Sequence, residues 1–355
     1  MILLTIGTIE QKEIGLYQSQ VKYFNSWFFK VGFIPLPGGL FTLGLIYFGL
    51  CSQLLLKTHF RQLKKLGITI AHLGSLLLLS GGIITNYSGI EGSMIIPEGE
   101  TVNYFQDYHQ FELVITPLEI TDTEKTTNRA LLTITQNEIA SKKIYQVPTT
   151  GITLRIQHFF KNSEMLPRDI LDIKNEVGFF SKFILKEKKM AADENENLPT
   201  FIFDIHGSLK DGAYAAFKDM PIAQTLTAKD GRRYKVEVRS LRHYLPFSIS
   251  LHDFEKIIYP SSSIPKSFKS EITVHDAQVN QKVVIQMNEP LRYKGYTFYQ
   301  SSFSENSDGE ITDLAVVKNF GKYFPYFSSI IICIGLLIHL ILNKSQFFKR
   351  EKHDQ

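Results

Sequence analysis

LGITIAHLGSLLLLSGGII, residues 66–84, contains no Asp, Glu, Lys or Arg, and its one ionisable side chain is His72. At a rise of about 1.5 Å per residue, a run of this length crosses a hydrocarbon core of roughly 30 Å. Two further runs have the same character: GGLFTLGLIYFGLCSQLLL (38–56), and YFPYFSSIIICIGLLIHLIL (323–342) with His339 as its one group ionisable in the physiological range. Three such runs predict a membrane protein with three complete transmembrane helices. MILLTI at residues 1–6 is apolar but too short to cross, and reads as the end of a truncated fourth span. It lacks the basic flank and cleavage site of a signal peptide.

The mean hydropathy of −0.05 conceals this pattern, because the stretch between the second and third runs has the composition of an ordinary polar domain. Net charge is +4, too small and too dispersed for a nucleic-acid partner. The charges orient the chain instead. KTHFRQLKK (57–65) holds four basic residues and no acid, and Lys344, Lys349, Arg350 and Lys352 follow the last span. The positive-inside bias places both segments in the cytoplasm and residues 85–322 outside, with a bacterial inner membrane as the expected location. Residues 7–37 are rich in aromatics, Tyr17, Tyr23, Phe24, Trp27, Phe28 and Phe29 among them. They predict an amphipathic helix on the outer lipid surface, which Pro35 and Pro37 turn into the span.

The five expected segments are therefore 1–37, a truncated span and outer-surface segment; 38–84, two spans joined by a basic loop; 85–322, an extracytoplasmic domain; 323–342, the last span; and 343–355, a cytoplasmic tail. In the outer segment, FELVITPLEI (111–120), ALLTITQ (130–136), ITLRIQHFF (152–160), TFIFDIHG (200–207), RYKVEVRSL (233–241), EITVHD (271–276), KVVIQM (282–287) and YTFYQSSF (296–303) are β-branched or alternate with period two. They predict a large, mainly antiparallel β domain. Residues 162–199, ending in KEKKMAADENENLP, interrupt the pattern and read as a helix followed by a mobile loop.

No P-loop, GxGxxG, GxSxG, HExxH or paired-cysteine motif occurs, so no self-contained active site shows. Cys51 and Cys333 both lie in apolar runs, which leaves the outer domain without a thiol. His109, His158, His206, His243, His252 and His275 are dispersed and read as surface or hydrogen-bonded residues rather than a metal site. His72 differs, because a titratable group in hydrocarbon is costly and tends to serve a function. Its neutral imidazole suits an axial ligand to haem iron. The alternative is an interhelical hydrogen bond, eased by the close approach that Gly67, Ala71, Gly74 and Ser75 allow. His339, near the end of its span, reads as snorkelling to the headgroups.

GTIEQ (7–11), GLYQSQVKYFNSWFF (15–29), IPLPGG (34–39), AHLGSLLLLSGGIIT (71–85) and GIEGSMIIPEGE (89–100) together resemble the ResB, or CcsB, family of cytochrome c biogenesis proteins. SLHDFEKIIYPSSSIPKSFKSEITVHD (250–276), MNEPLRYKGYTFYQSSF (287–303) and the last span resemble the same family in the same order. The resemblance implies system II: a haem-handling subunit that acts with a CcsA or ResC membrane partner to carry haem across the membrane. The pair then attaches it to CxxCH apocytochromes c. It places the family's transmembrane haem-ligand histidine on His72, which would bind haem b transiently and without a covalent bond, as an axial ligand to its iron. Further implied partners are thiol-reducing proteins of the pathway, besides membrane lipid. The single tryptophan, Trp27, shows that the tryptophan-rich segment of the partner family is not fused here. Two other readings stay open, a purely structural scaffold for that complex and a membrane-anchored extracytoplasmic binding or sensor protein.

Overall fold

The computed structural model describes residues 2–57, 65–118, 130–140, 143–169, 175–258, 265–277, 279–306 and 309–351. Most of the basic loop lies outside the described residues, as do residues 352–355 of the tail. At the N-terminal end, α1 (Ile2–Ile14) is followed by α2 (Leu16–Ser19), which runs on as a π turn over Gln20–Phe24. Gly15 separates the two helices at φ +81°, where a Cβ would lie 2.4 Å from the Ala192 carbonyl oxygen. Only glycine meets both demands. The aromatic segment is thus not one amphipathic helix. After α2 the chain turns into an antiparallel hairpin, β1 (Phe28–Val31) with β2 (Ile34–Pro37). Pro35 and Pro37 are tolerated there because a two-stranded ribbon has only edges. Trp27 packs at 3.7 Å from the position a Cβ on Gly44 would occupy, holding the hairpin against the helix that follows.

That helix is α3 (Gly39–Ser52), extended by a π turn over Gln53–Lys57; α4 (Leu66–Ser88) comes next, and α5 (Phe324–Glu351) closes the described chain. Among the described residues, three helical stretches are long and apolar enough to cross a membrane, Gly39–Leu56, Leu66–Ser88 and Phe320–Leu342. They match the three expected runs. Differences lie at the ends: α4 continues four residues past Ile84, and α5 continues through Glu351 into the segment expected as a tail.

α4 and α5 pack antiparallel along a seam of small residues. A Cβ on Gly67 would lie 2.3 Å from the His339 backbone nitrogen, one on Gly74 2.7 Å from the Ile332 side chain, and one on Gly81 2.2 Å from Phe324 Cβ. From the other side, Gly335 faces the Ala71 nitrogen at 2.5 Å, and Gly321 faces the Thr85 hydroxyl and the Gly81 carbonyl. Ser328 is fully buried between them. The start of α4 and the end of the α5 span therefore lie at one end of the pair. The sheet domain grows from the other.

It grows there directly. β3 (Ile90–Pro97) follows α4 across Gly89, and β4 (Thr101–Pro117) pairs with it. The domain continues through β5 (Leu132–Thr135), β6 (Ile144–Gln146), β7 (Thr153–Phe160), β8 (Ser163–Pro167), β9 (Phe183–Glu187), β10 (Thr200–His206), β11 (Gly212–Phe217) and β12 (Gln224–Thr227). β13 (Arg233–Ile258), β14 (Pro265–His275), β15 (Asn280–Gln286), β16 (Leu291–Tyr293), β17 (Tyr296–Asn306) and β18 (Gly309–Lys318) complete it. β18 pairs with β3, with Lys318 opposite Ile90, so an antiparallel strand pair continues as the antiparallel helix pair α4 and α5.

The main sheet has ten strands in the order β15-β14-β13-β4-β3-β18-β17-β16, with β12 added on β13 and β5 on β4. Every ladder is antiparallel, as the period-two segments predicted. β13 is long enough to serve two cores. Its first half joins β4, β5 and the four-stranded sheet β11-β10-β7-β6 around Leu113, Phe201, Phe203 and Val236. Its second half joins β3, β14, β15, β17 and β18 around Met94, Phe105, Ile272 and Phe298. All eight of these side chains are at most 1% exposed.

Residues 162–199 differ from the expected helix and loop. β8 and β9 form an antiparallel hairpin there, with Ser163 opposite Glu187, followed by a short 3-10 turn at Glu194–Glu196. Leu185 of β9 points inward against Phe180, Ile202 and Ala215, while Lys186 and Glu187 beside it are exposed.

Candidate functional site

His72 is half-buried on α4, six residues or about 9 Å from its start. At about 100° per residue it lies roughly 140° round the helix from Gly67, on the side turned away from the α5 seam. Ile68 and Leu73 beside it are exposed. The structure therefore places the imidazole on an apolar face that lipid, cargo or another chain can cover. Gly67, Ala71 and Gly74 bring α5 close, as their small size predicts, but on a different face from His72. His339 lies at the seam opposite Gly67, five residues or about 7.5 Å along α4 from His72.

At the far end of α4 a cavity of about 900 Å³ opens where the helices meet the sheet domain. α1 and α2 form one wall, Thr85 and Asn86 of α4 the floor, and the roots of β3 and β4 the opposite wall. Its size falls in the range of ligand sites. Tyr17 of α2 stacks on His109 of β4 with ring centroids 3.6 Å apart and planes within 9°. Nδ1 of His109 lies 3.0 Å from a Glu194 carboxylate oxygen, so β4, α2 and the turn after β9 are clasped together. Burial, with Glu194 and Asp107 nearby, pushes the Tyr17 phenol above its usual range and keeps it protonated.

Asp107 is buried, and its carboxylate accepts hydrogen bonds from the backbone N–H groups of His109 and Gln110 at 2.9 and 3.0 Å. Its other oxygen lies 3.0 Å from His243 Nε2, and the His243 ring stacks on Phe105. Asn137 Nδ2 donates to the Gln110 side-chain oxygen Oε1 at 3.0 Å, tying the segment after β5 to β4. The joint beneath is fixed by Asn319, whose oxygen accepts from the Gly321 N–H at 2.7 Å and from the Thr85 hydroxyl at 3.1 Å. Sequence reasoning missed this cleft, although it named His109 and His243 singly. Its residues come from five separated segments, and no local spacing links them.

The helical wall has its own tie. Lys22 Nζ lies 2.8 Å from Glu10 Oε1, and the Tyr23 hydroxyl donates to the same carboxylate, joining the α2 end to α1. The hydrogen bond from Lys22, then that from Tyr23, holds the Glu10 carboxyl below its usual range. A lowered folded value means that the tie is fully present above the ordinary glutamate range and is lost as pH falls through the lowered value. Hydrogen exchange should therefore show residues 16–24 protected alike at about pH 6 and pH 5 and deprotected near about pH 3. A Glu10→Gln chain should lack that acid step.

The other scattered histidines are separate. His275 lies 2.8 Å from the Ser250 hydroxyl, His252 lies 2.6 Å from that of Thr273, and His158 stacks on Phe160. What the fold and its sites define is a class: an apolar helical anchor whose antiparallel pair extends without a linker into a two-core β domain, with a polar cleft at the joint. Residues 220–312, from β12 into β18, match the model of the ResB-like family. Protein NrfI of Wolinella succinogenes is 26% identical over 291 residues, which cover 78% of this chain and 27% of that protein. The chain thus spans about a quarter of the length of the curated relative it matches. These findings bear out the resemblance to the ResB family carried by the sequence motifs.

Proposed function

We propose that this chain acts in cytochrome c biogenesis as the haem-handling subunit of a system II synthetase. It works with a CcsA or ResC partner in the bacterial inner membrane, its β domain on the periplasmic side. The observation that carries the reading is the ResB-like match on residues 220–312, the segment that supplies most of the second core. His72 supports it, as an ionisable group within an apolar helix on a face that α5 leaves open.

In this reading haem is cargo. The His72 imidazole offers a lone-pair nitrogen to the iron, and the exposed Ile68 and Leu73 offer apolar contact to the macrocycle edge. The partner chain closes the pocket from the other side and excludes water. The outer domain receives the apocytochrome, whose thiols are kept reduced by other proteins, since the thiols of this chain are in α3 and α5. Attachment is then shared with the partner.

The test is genetic and spectroscopic together. Deleting the gene should abolish haem staining of c-type cytochromes while b-type cytochromes persist, and the chain purified with its membrane partner should show a Soret band. Normal c-type cytochromes in the deletion strain would refute the reading and restore the sensor alternative.

A further inference from the structure

We infer that the cavity at the joint of helices and sheet is a binding cleft for an extended polypeptide, which it holds by the main chain. The inference deepens the proposed function and rests on it only for the identity of the peptide, an apocytochrome segment. The lining carries it. Gln11, Gln20, Asn86, Gln110, Gln136 and Asn137 all face the cavity, and among the described residues neither Lys nor Arg does. A carboxamide offers one C=O acceptor and two N–H donors, the same groups as a peptide unit, so a wall of carboxamides pairs with a main chain whatever its side chains. Recognition through backbone hydrogen bonds is how extended peptides are held where sequence varies.

Electrostatics separates this occupant from the other cargo. Haem carries two carboxylates, which call for cationic donors. The cleft instead presents Glu91, with the engaged carboxylate of Asp107 buried behind it, and among the described residues its one basic ring, His109, is engaged with Glu194. A neutral or basic peptide fits that field. Gln136 adds a second observation: its Oε1 is buried and has no hydrogen-bond partner among the described residues. A buried carbonyl left unmade is costly, and a peptide N–H entering the cleft satisfies it. The stacked Tyr17 and His109 rings give the cleft a rigid aromatic side. The site also lies in the right place. Asn86 is fourteen residues beyond His72 on the same helix, about 21 Å further along, so the peptide waits at the outer end of the element that holds the haem.

The experiment uses the full chain in lipid nanodiscs and a fluorescent peptide of about 15 residues, long enough at roughly 3.3 Å per residue to cross the cleft. The peptide contains a CxxCH motif with both cysteines replaced by serine. Anisotropy should show saturable binding. The same peptide N-methylated at alternate residues should bind at least about tenfold more weakly, since it has lost main-chain donors. The isosteric pair Gln136→Met with Asn86→Leu should weaken the unmodified peptide by about tenfold or more. Benzoylphenylalanine in place of the exposed Gln20 should photo-cross-link the peptide, and in place of Met287, on the far strand β15 side, should not. That measurement decides the matter even if the double variant misfolds.

Equal binding of the methylated peptide, undiminished binding by the folded double variant, cross-linking only from position 287, or displacement of the peptide by free haem would each overturn the cleft. The two readings fail separately. Cytochromes c that mature without this chain refute haem handling and leave a peptide cleft standing, whereas a chain required for maturation that binds no peptide refutes the cleft alone.

Discussion

Replacing His72 with alanine should remove the Soret band of the purified complex and abolish c-type cytochrome maturation, while the chain still accumulates and still folds. The expectation of folding comes from position. His72 is half-buried and lies away from the α4–α5 seam, and alanine is the strongest helix former, so the substitution leaves the helix pair intact. The expectation of lost haem comes from chemistry. Each 1.4 kcal/mol of lost ligation lowers affinity about tenfold, and α4 carries no other histidine, cysteine or methionine to replace the imidazole. Imidazole added to the His72→Ala chain should restore the Soret band in part, since a free ring can enter the vacated space. A purely structural histidine would show no such rescue. Unchanged haem content together with unchanged maturation would transfer the chain to the scaffold reading, in which only loss of the helices or the β domain matters.

The features that were legible in the sequence share a cause. Each apolar run is long because lipid gives no local compensation for a charge, so hydropathy alone located α3, α4 and α5 within a few residues. β7 was legible because its buried residues, Leu154 and Ile156, alternate with exposed ones; β4 and β10 were legible as runs of β-branched and aromatic residues, although Leu113–Ile115 and Phe201–Phe203 are buried without alternation. β11 was not. GAYAAF is buried from Tyr214 through Phe217, so alternation is absent, and its middle is only Ala215 and Ala216. The β8–β9 hairpin was read as a helix because its inward residues, Met165 and Leu185, stand among lysines and glutamates whose helix propensity is high. Pairing in register overrode propensity.

The sites divide in the same way. His72 stood out because an ionisable side chain in an apolar run needs no partner to be noticed. The cleft needed tertiary structure. Gln11, Asn86, Gln110 and Gln136 are polar residues at the ends of elements, where polar residues are ordinary, and only the joint at Asn319 brings them around one space. The same holds for His243, a scattered histidine by spacing, which the β4–β13 register sets beside Asp107.

The seam between α4 and α5 supports the other large prediction. Gly335→Leu, or Gly67→Leu, should strongly destabilise the chain. Ordinary carbon contacts lie at about 3.5–4.0 Å. A Cβ at Gly67 would sit 2.3 Å from the His339 nitrogen, and one at Gly335 2.5 Å from the Ala71 nitrogen, so the helices must part by more than about 1 Å even for alanine. Backbone is the obstacle in both cases, and backbone cannot rotate aside. Overpacking of this kind costs about 1–3 kcal/mol, and leucine stands at the upper end or beyond. Gly82→Ala provides the matched control on the same helix, because its Cβ would meet nothing within 4 Å. It should leave the melting temperature unchanged or raise it, as alanine lowers the entropy lost by a helical glycine. The damage should also travel. Since α4 continues into β3 and α5 extends back into β18, splayed helices pull on the pair Ile90 and Lys318 and on the Thr85–Asn319 joint. Hydrogen exchange of the Gly335→Leu chain should therefore rise at residues 90–93 and 315–318, next to the cleft, and remain low in the distant core around Phe203. Faster exchange confined to the helices would show instead that the strand pair holds its register independently of the seam beneath it.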